Sequence, residues 1–193
     1  NEDNMNSEAV YFKVSSSVKK IVGRELITNK NVAIFELVKN SYDAMAKNVK
    51  VCISNNVIII EDDGTGMSKD DLLEKWLFLG YSEKENSKNK DGRTYVGSKG
   101  LGRFACDRLG RGTKIITKKL DDSSEHILDI NWDKFENSNK EYFQKIPVQF
   151  YEKESNNKCS YTKIIIDRLR DEWKQEEVDS LGRLFYKLID PFE

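Results

Sequence analysis

The apolar run Val57-Ile58-Ile59-Ile60 passes through Glu61 into Asp62-Asp63-Gly64-Thr65-Gly66-Met67, and this passage constrains the fold more than any other feature of the chain. A nearly continuous apolar run predicts a strand buried on both faces. Val49–Ser54 reads as its hairpin partner, with Asn55-Asn56 as the two-residue turn. The strand therefore delivers carboxylates and glycines to its own exit. A calcium loop is excluded, because the oxygen ligands and the glycine do not fall at the required positions. The plain reading is a turn. The chemical reading is a carboxylate held at a strand end to accept a hydrogen bond from an exocyclic amine. The glycines would let a flat ring approach the backbone, and Met67 would pack on its face.

A helix precedes the hairpin, over about residues 31–46 (NVAIFELVKNSYDAMA). At about 100° per residue, Glu36, Asn40 and Asp43 fall within roughly 60° of one another. Ile34, Val38, Tyr42 and Met45 form the opposite stripe. The polar stripe is either an ordinary solvated face or a site. Ala33, Leu37, Ala44 and Phe35 flank it, and a carboxylate–amide–carboxylate stripe in apolar surroundings is costly to bury without ligands. Glu36 could polarise a water, and Asn40 could offer a carbonyl oxygen to a hard cation.

A third cluster, Gly97-Ser98-Lys99-Gly100-Leu101-Gly102-Arg103-Phe104-Ala105, opens a short helix ending near Gly110. Glycine amides converging at a helix N-terminus suit an anion, with Lys99 and Arg103 adding cationic side chains. Gly92 to Lys99 inverts the K-[ST] order of a P-loop and is rejected. Gly100–Ala105 matches G-x-G-x-x-A with Asp121 roughly twenty residues on, as in a dinucleotide-binding Rossmann unit. A Rossmann unit needs a buried apolar strand before the glycines, and only Thr94-Tyr95-Val96 stands there.

The rest of the chain supplies a scaffold. A strand at Tyr11–Val14 follows a polar arm over residues 1–10, and a helix spans about Ser15–Arg24. Ser68 and Asp71 form a capping box before Leu72, Leu73, Trp76 and Leu77, with Gly80 as the stop. Residues 81–95 are polar, and the stretch 81–98 reads as a lid. Strand-like runs follow at Thr113–Leu120, His126–Trp132, Val148–Glu152 and Tyr161–Asp167. A terminal helix near Asp171–Ile189 carries Val178, Leu181, Leu184, Phe185 and Leu188 on one stripe. Strands clustered with few crossover helices favour an α+β domain over an alternating parallel sheet.

Composition narrows the chemistry. A length of 193 residues with 38% hydrophobic content suits a single domain, residues 11–193. No stretch approaches the roughly 18 apolar residues of a membrane helix, and a net charge of -1 gives no basic field for nucleic acid. Cys52, Cys106 and Cys159 are scattered, so zinc sites are excluded and buried thiols in a reducing cytosol are expected. His126 alone could serve imidazole chemistry, and it sits in a strand. Carboxylates, amides and glycines are left to do the work.

The order of parts is more specific than any one of them. ELVKNSYDAM on a helix, DDGTGM after a strand, a polar lid and GSKGLGRFA opening a helix resemble the GHKL superfamily of ATPases: gyrase B subunits, heat-shock chaperones, sensor histidine kinases and MutL. The similarity covers roughly residues 12–190. Thr162, in SYTKIII, fits the late threonine that approaches the adenine site. The resemblance implies a Bergerat-type two-layer α/β sandwich, with a mixed, mostly antiparallel sheet covered on one face by helices. It implies ATP and magnesium as ligands, with Glu36 activating the attacking water and Asn40 ligating the metal. Asp62, Gly66, Met67 and Thr162 would form the adenine pocket. Gly97, Ser98, Lys99, Gly100, Leu101, Gly102, Arg103 and Phe104 would line the phosphates, and Asp43 and Asp63 would support the site.

Within the superfamily, no histidine precedes the helix and a glutamate stands where hydrolysis needs it, unlike the kinase branch. KWLFLGYSEK, with Lys99 and Arg103, looks most like MORC-like and stand-alone prokaryotic members. Relatives complete catalysis with a lysine from a following domain or with an arginine, and such a domain is expected to lie outside these 193 residues, which run to Asp190-Pro191-Phe192 and Glu193. The expectation is a cytoplasmic ATPase domain of a larger protein, dimerising on ATP. A nucleotide-binding module without useful hydrolysis is the alternative.

Overall fold

The strand-forming residues pair as the alternation of their side chains requires. The computed structural model describes residues 7–14, 27, 29–79, 102–136 and 143–189, with backbone alone at 102 and 186–189. The elements are β1 (Ser7–Val10), β2 (Lys13–Val14), α1 (Lys30–Asp43), β3 (Val49–Ile53), β4 (Val57–Asp62), β5 (Phe78–Leu79), α2 (Gly102–Leu109), β6 (Gly110–Lys118), β7 (Ser124–Asn131), β8 (Val148–Glu154), β9 (Tyr161–Leu169) and α3 (Gln175–Ile189). Among the described residues, seven strands form one sheet in the order β1-β8-β7-β6-β9-β4-β3, and every pairing within it is antiparallel. β2 and β5 form a separate parallel pair. The α+β fold with a mostly antiparallel sheet is as expected. The expected helix over 15–24 and the lid over 81–98 lie outside the described residues.

One sheet face carries the core in cross-strand rows. Ile58, Ile166, Thr113 and Ile130 form one row, and Ile60, Ile164, Ile115, Leu128 and Phe150 form the next. Ala33, Ile34 and Leu37 of α1 and Phe104, Ala105, Cys106 and Leu109 of α2 join Ile58, Ile60, Ile115, Leu128, Ile130, Phe150 and Ile166 in one buried cluster. α1 also packs against α2. On the opposite face, Ile59 and Val57 are only half-buried and Glu61 is exposed. The expectation of a strand buried on both faces is therefore corrected: β4 alternates, with Ile58, Ile60 and Asp62 turned inward.

Other sequence readings shift for local reasons. Ser7–Val10, read as the end of an arm, pairs with β8 at the sheet edge. α1 ends at Asp43, before Met45 takes a positive φ of 64°, so Met45 is out of phase with the helix. Tyr42 is exposed, and the buried face runs through Ala33, Ile34, Leu37 and Ser41 instead. In α3, Leu181 is buried and Val178 and Phe185 pack on the core, whereas Leu184 is exposed. Cys52 and Cys159 are exposed rather than buried, while burial pushes the Cys106 thiol up to about 12. His126 is a buried strand residue stacked on Phe150. Among the described residues no helix is long and apolar enough to cross a membrane.

Candidate functional site

The third inward row of the sheet is polar where the first two are apolar except for Thr113. Asp62 of β4 stands opposite Thr162 of β9, Thr162 opposite Thr117 of β6, and Thr117 opposite His126 of β7. All four are buried. Since unsatisfied polar groups are expensive to bury, the row must be accounted for bond by bond.

Asp62 takes a hydrogen bond from the Ser41 hydroxyl at 2.6 Å on Oδ2 and from the Gly64 N–H at 3.0 Å on Oδ1. Burial pushes its carboxyl above the usual 3.8, and the two hydrogen bonds offset only part of that. Ser41 belongs to α1, so this bond seats the C-terminal half of the helix over the exit of β4. A backbone bond from the Thr65 N–H to the Ala44 carbonyl, 2.8 Å, holds the same junction. Asp63 points outward and accepts from the backbone N–H groups of Lys47 and Asn48 and from Asn48 Nδ2. The Asn48 hydrogen bonds hold its carboxyl below the usual range. It braces the loop after α1, and Asp43 is buried at the helix end.

The glycine turn lies flush on β6. Gly66 has a φ of +66°, and a Cβ there would sit 2.0 Å from the Lys118 carbonyl oxygen. Only glycine fits on both counts. Gly66→Ala should cost about 2 kcal/mol or more in strain and displaced backbone. Its melting temperature should fall by roughly 4–8 °C or more, and thermal denaturation would show it. Beyond Gly66, the Met67 N–H donates to Thr117 Oγ1 at 2.9 Å. The expected capping box forms reciprocally: the Ser68 N–H donates to Asp71 Oδ2 at 3.0 Å, and the Asp71 N–H donates to Ser68 Oγ at 3.1 Å. Burial opposes the charge on Asp71, yet the Lys119 ammonium and Ser68 hold it at about 2. The turn that follows, Asp71–Trp76, is wound with a wider π-type spacing, closed by the Leu77 N–H on the Leu72 carbonyl at 2.9 Å.

Glu36 and Asn40 lie one turn apart on α1, both half-buried, on a flank of the face that carries Ser41. Glu36 Oε1 accepts from Lys39 Nζ at 3.1 Å. The Asn40 amide makes no side-chain hydrogen bond among the described residues, so its oxygen is open to a ligand. α2 begins at Gly102, and Gly97, Ser98, Lys99, Gly100 and Leu101 lie outside the described residues. The Arg103 side chain is buried. Its guanidinium donates to the carbonyls of Lys75 and Trp76 and lies 5.8 Å over the Trp76 ring. Burial lowers it to about 10. The Phe104 side chain is core.

The structure thus brings Asp62, Thr162, Gly66 and Met67 together at the sheet end, and Glu36 and Asn40 lie on α1, the helix whose Ser41 bonds Asp62. Thr117 went unnoticed in the sequence because a threonine in a strand looks like an ordinary β-former. Strand register reveals it. Among the described residues no cluster of three His, Cys, Asp or Glu side chains could hold a metal ion. Magnesium arriving with phosphates needs only one or two protein oxygens, and the Asn40 amide can supply one. The donor set therefore fits magnesium carried in on a nucleotide.

Residues 27–164 match the family described as "Histidine kinase-, DNA gyrase B-, and HSP90-like ATPase". A mitochondrial TNF receptor-associated protein 1 homolog from Dictyostelium discoideum is 29% identical over 149 residues, covering 63% of this chain and 21% of that protein. The putative type II restriction enzyme HgiDII of Herpetosiphon aurantiacus is 41% identical over 85 residues, 44% of this chain and 14% of its own length. The DNA mismatch repair protein MutL of Fervidobacterium nodosum is 29% identical over 119 residues, 58% of this chain and 19% of its length. The chain therefore matches only about a fifth, or less, of each of these relatives.

Proposed function

The chain belongs to the histidine kinase-, DNA gyrase B- and HSP90-like ATPase family, and from that premise we propose that it is a magnesium-dependent ATP-hydrolysing domain serving as a conformational switch in a larger cytoplasmic protein. The family is one of ATP-binding and ATP-hydrolysing domains. The observation that carries the reading is the buried Asp62–Thr162 pair, tied to α1 through the Ser41 hydroxyl. It is a row of acceptors suited to a base that bears an amino group.

In this reading Asp62 accepts from the adenine amino group, and Gly66 and Met67 flank the ring. Thr162 completes the edge. Asn40 holds magnesium through its amide oxygen, and Glu36 orients the attacking water. Amides of the Gly97–Gly102 segment and the first turn of α2 face the phosphates. Magnesium, when bound, neutralises phosphate charge during transfer. Lys39, held by Glu36, keeps the carboxylate directed along the helix surface. Asp43 and Asp63 hold the helix end and the following loop in place. Dimerisation on ATP and a lysine or arginine from another part of the parent protein would complete the cycle. The net charge of -1 favours no nucleic-acid partner, so a client protein is equally suited as the object of the switch.

Isothermal titration with ATP, with and without magnesium, and phosphate release test the reading directly. Asn40→Ala should bind ATP alone as the unaltered chain does, and should lose about tenfold of the affinity that magnesium adds. An unaltered magnesium increment in this variant would remove Asn40 from the metal site. Tight ATP binding with no phosphate release, in the full-length protein, would favour the non-hydrolysing alternative.

A further inference from the structure

Thr117 is fully buried and touches three polar groups at once. The Met67 N–H lies 2.9 Å from its Oγ1, the Tyr161 carbonyl 3.0 Å and the Thr162 hydroxyl 3.0 Å. A threonine hydroxyl has one hydrogen and two lone pairs. The Tyr161 carbonyl can only accept, so the hydrogen of Thr117 goes there. The Met67 N–H can only donate and occupies one lone pair. What remains for Thr162 is the second lone pair, and Thr162 must therefore donate its own hydrogen to Thr117.

That assignment has a consequence one strand away. With its hydrogen spent, Thr162 offers only lone pairs to anything else that approaches it. Asp62, directly opposite, already takes one donor on each oxygen, from Ser41 and Gly64, and offers only lone pairs as well. Two acceptors side by side suit a base edge that carries amino hydrogens. A ring carbonyl in the same place would set lone pair against lone pair, with an acceptor left unpaired in a buried site.

We propose that Thr117, without touching the ligand, fixes the proton direction of Thr162 and so makes the site select a 6-amino purine over a 6-oxo purine. Thr117 is a positioning residue, and the inference rests on the nucleotide reading given above. Inosine triphosphate is the discriminating probe, because it differs from ATP only in the oxygen at position 6 and the proton at N1. Replacing the Thr117 hydroxyl frees the hydrogen of Thr162 to donate to that oxygen, while Asp62 accepts the N1 proton.

The test is a titration of ATP and inosine triphosphate into the unaltered chain, Thr117→Ser and Thr117→Val. The unaltered chain and Thr117→Ser should share one preference for ATP, since serine keeps the hydroxyl. Thr117→Val should lose about tenfold of that preference, which loss of rigidity alone would not produce because it weakens both nucleotides alike. An unchanged preference in Thr117→Val overturns the inference. If that variant shows no cooperative melt, Thr162→Val replaces it: the preference should fall, and an unchanged preference overturns the inference equally. An unaltered chain that binds ATP without preferring it overturns the inference alone, whereas one that binds neither nucleotide overturns the nucleotide reading with it.

Discussion

Asp62→Asn will bind ATP about a hundredfold more weakly than the unaltered chain while melting at nearly the same temperature. A hydrogen bond to a charged acceptor contributes roughly 1.5–3 kcal/mol, so its loss spans about ten- to a hundredfold in affinity. The upper end applies here because the loss is compounded. The Gly64 N–H can only donate, so the amide oxygen of the new side chain must face it. The amide NH2 is then the remaining group, which presents donors at an edge that offered only acceptors. Stability should change little, because two effects oppose. The buried carboxylate is held above its usual titration range, so its charge costs stability at neutral pH, and a neutral amide removes that cost. Against this, the Ser41 hydroxyl must reverse its bond. Titration calorimetry beside thermal denaturation separates the two. Undiminished ATP affinity in Asp62→Asn would remove the adenine assignment.

The same raised carboxyl gives a sign to the pH dependence. In the proposed site the adenine amino group needs Asp62 ionised, and burial holds that carboxyl above the ordinary value. Affinity should be full at neutral pH and fall as the solution is acidified through the Asp62 range, starting at higher pH than an exposed aspartate would allow. Folding runs the other way: a raised carboxyl in the folded state means that acidification first relieves the cost of the buried charge. Binding and stability should thus part company on mild acidification.

How much of this was legible beforehand depended on whether a signal was local. The capping box, the hairpin around Asn55-Asn56 and the helix carrying Glu36 and Asn40 each rest on residues within a few positions of one another, and each is where the sequence places it. The glycine turn was legible because a left-handed φ and contact with β6 leave no room for any other residue. What failed depended on partners distant in sequence. The inward face of α1 was misjudged because Ser41 counts as polar in a hydrophobic stripe, yet it is buried to serve Asp62. Thr117 was invisible because its three partners come from the glycine turn and from β9. The bonds from Arg103 to the carbonyls of Lys75 and Trp76 are likewise out of reach of a sequence reading, because that turn lies far back in the chain.

Glu36→Ala carries the other large effect, on turnover rather than on binding. Phosphate release should fall about 10²–10⁴-fold, the usual contribution of a positioned general base, with ATP affinity unchanged within a factor of about two. The separation follows from position. Glu36 lies on the flank of α1, a turn and more from Ser41, the residue of that helix whose hydroxyl bonds Asp62. Its hydrogen-bonded partner is Lys39, whose ammonium also lies 5.7 Å over the Phe35 ring. Truncation therefore leaves the lysine with a second contact and the helix with its core face intact, so the melting temperature should stay close to that of the unaltered chain. Single-turnover phosphate release in the full-length protein, beside ATP titration, is the measurement. An unchanged rate with binding intact would show that water is oriented by another group. A fall in binding equal to the fall in rate would instead make Glu36 part of the ATP-binding site rather than the base.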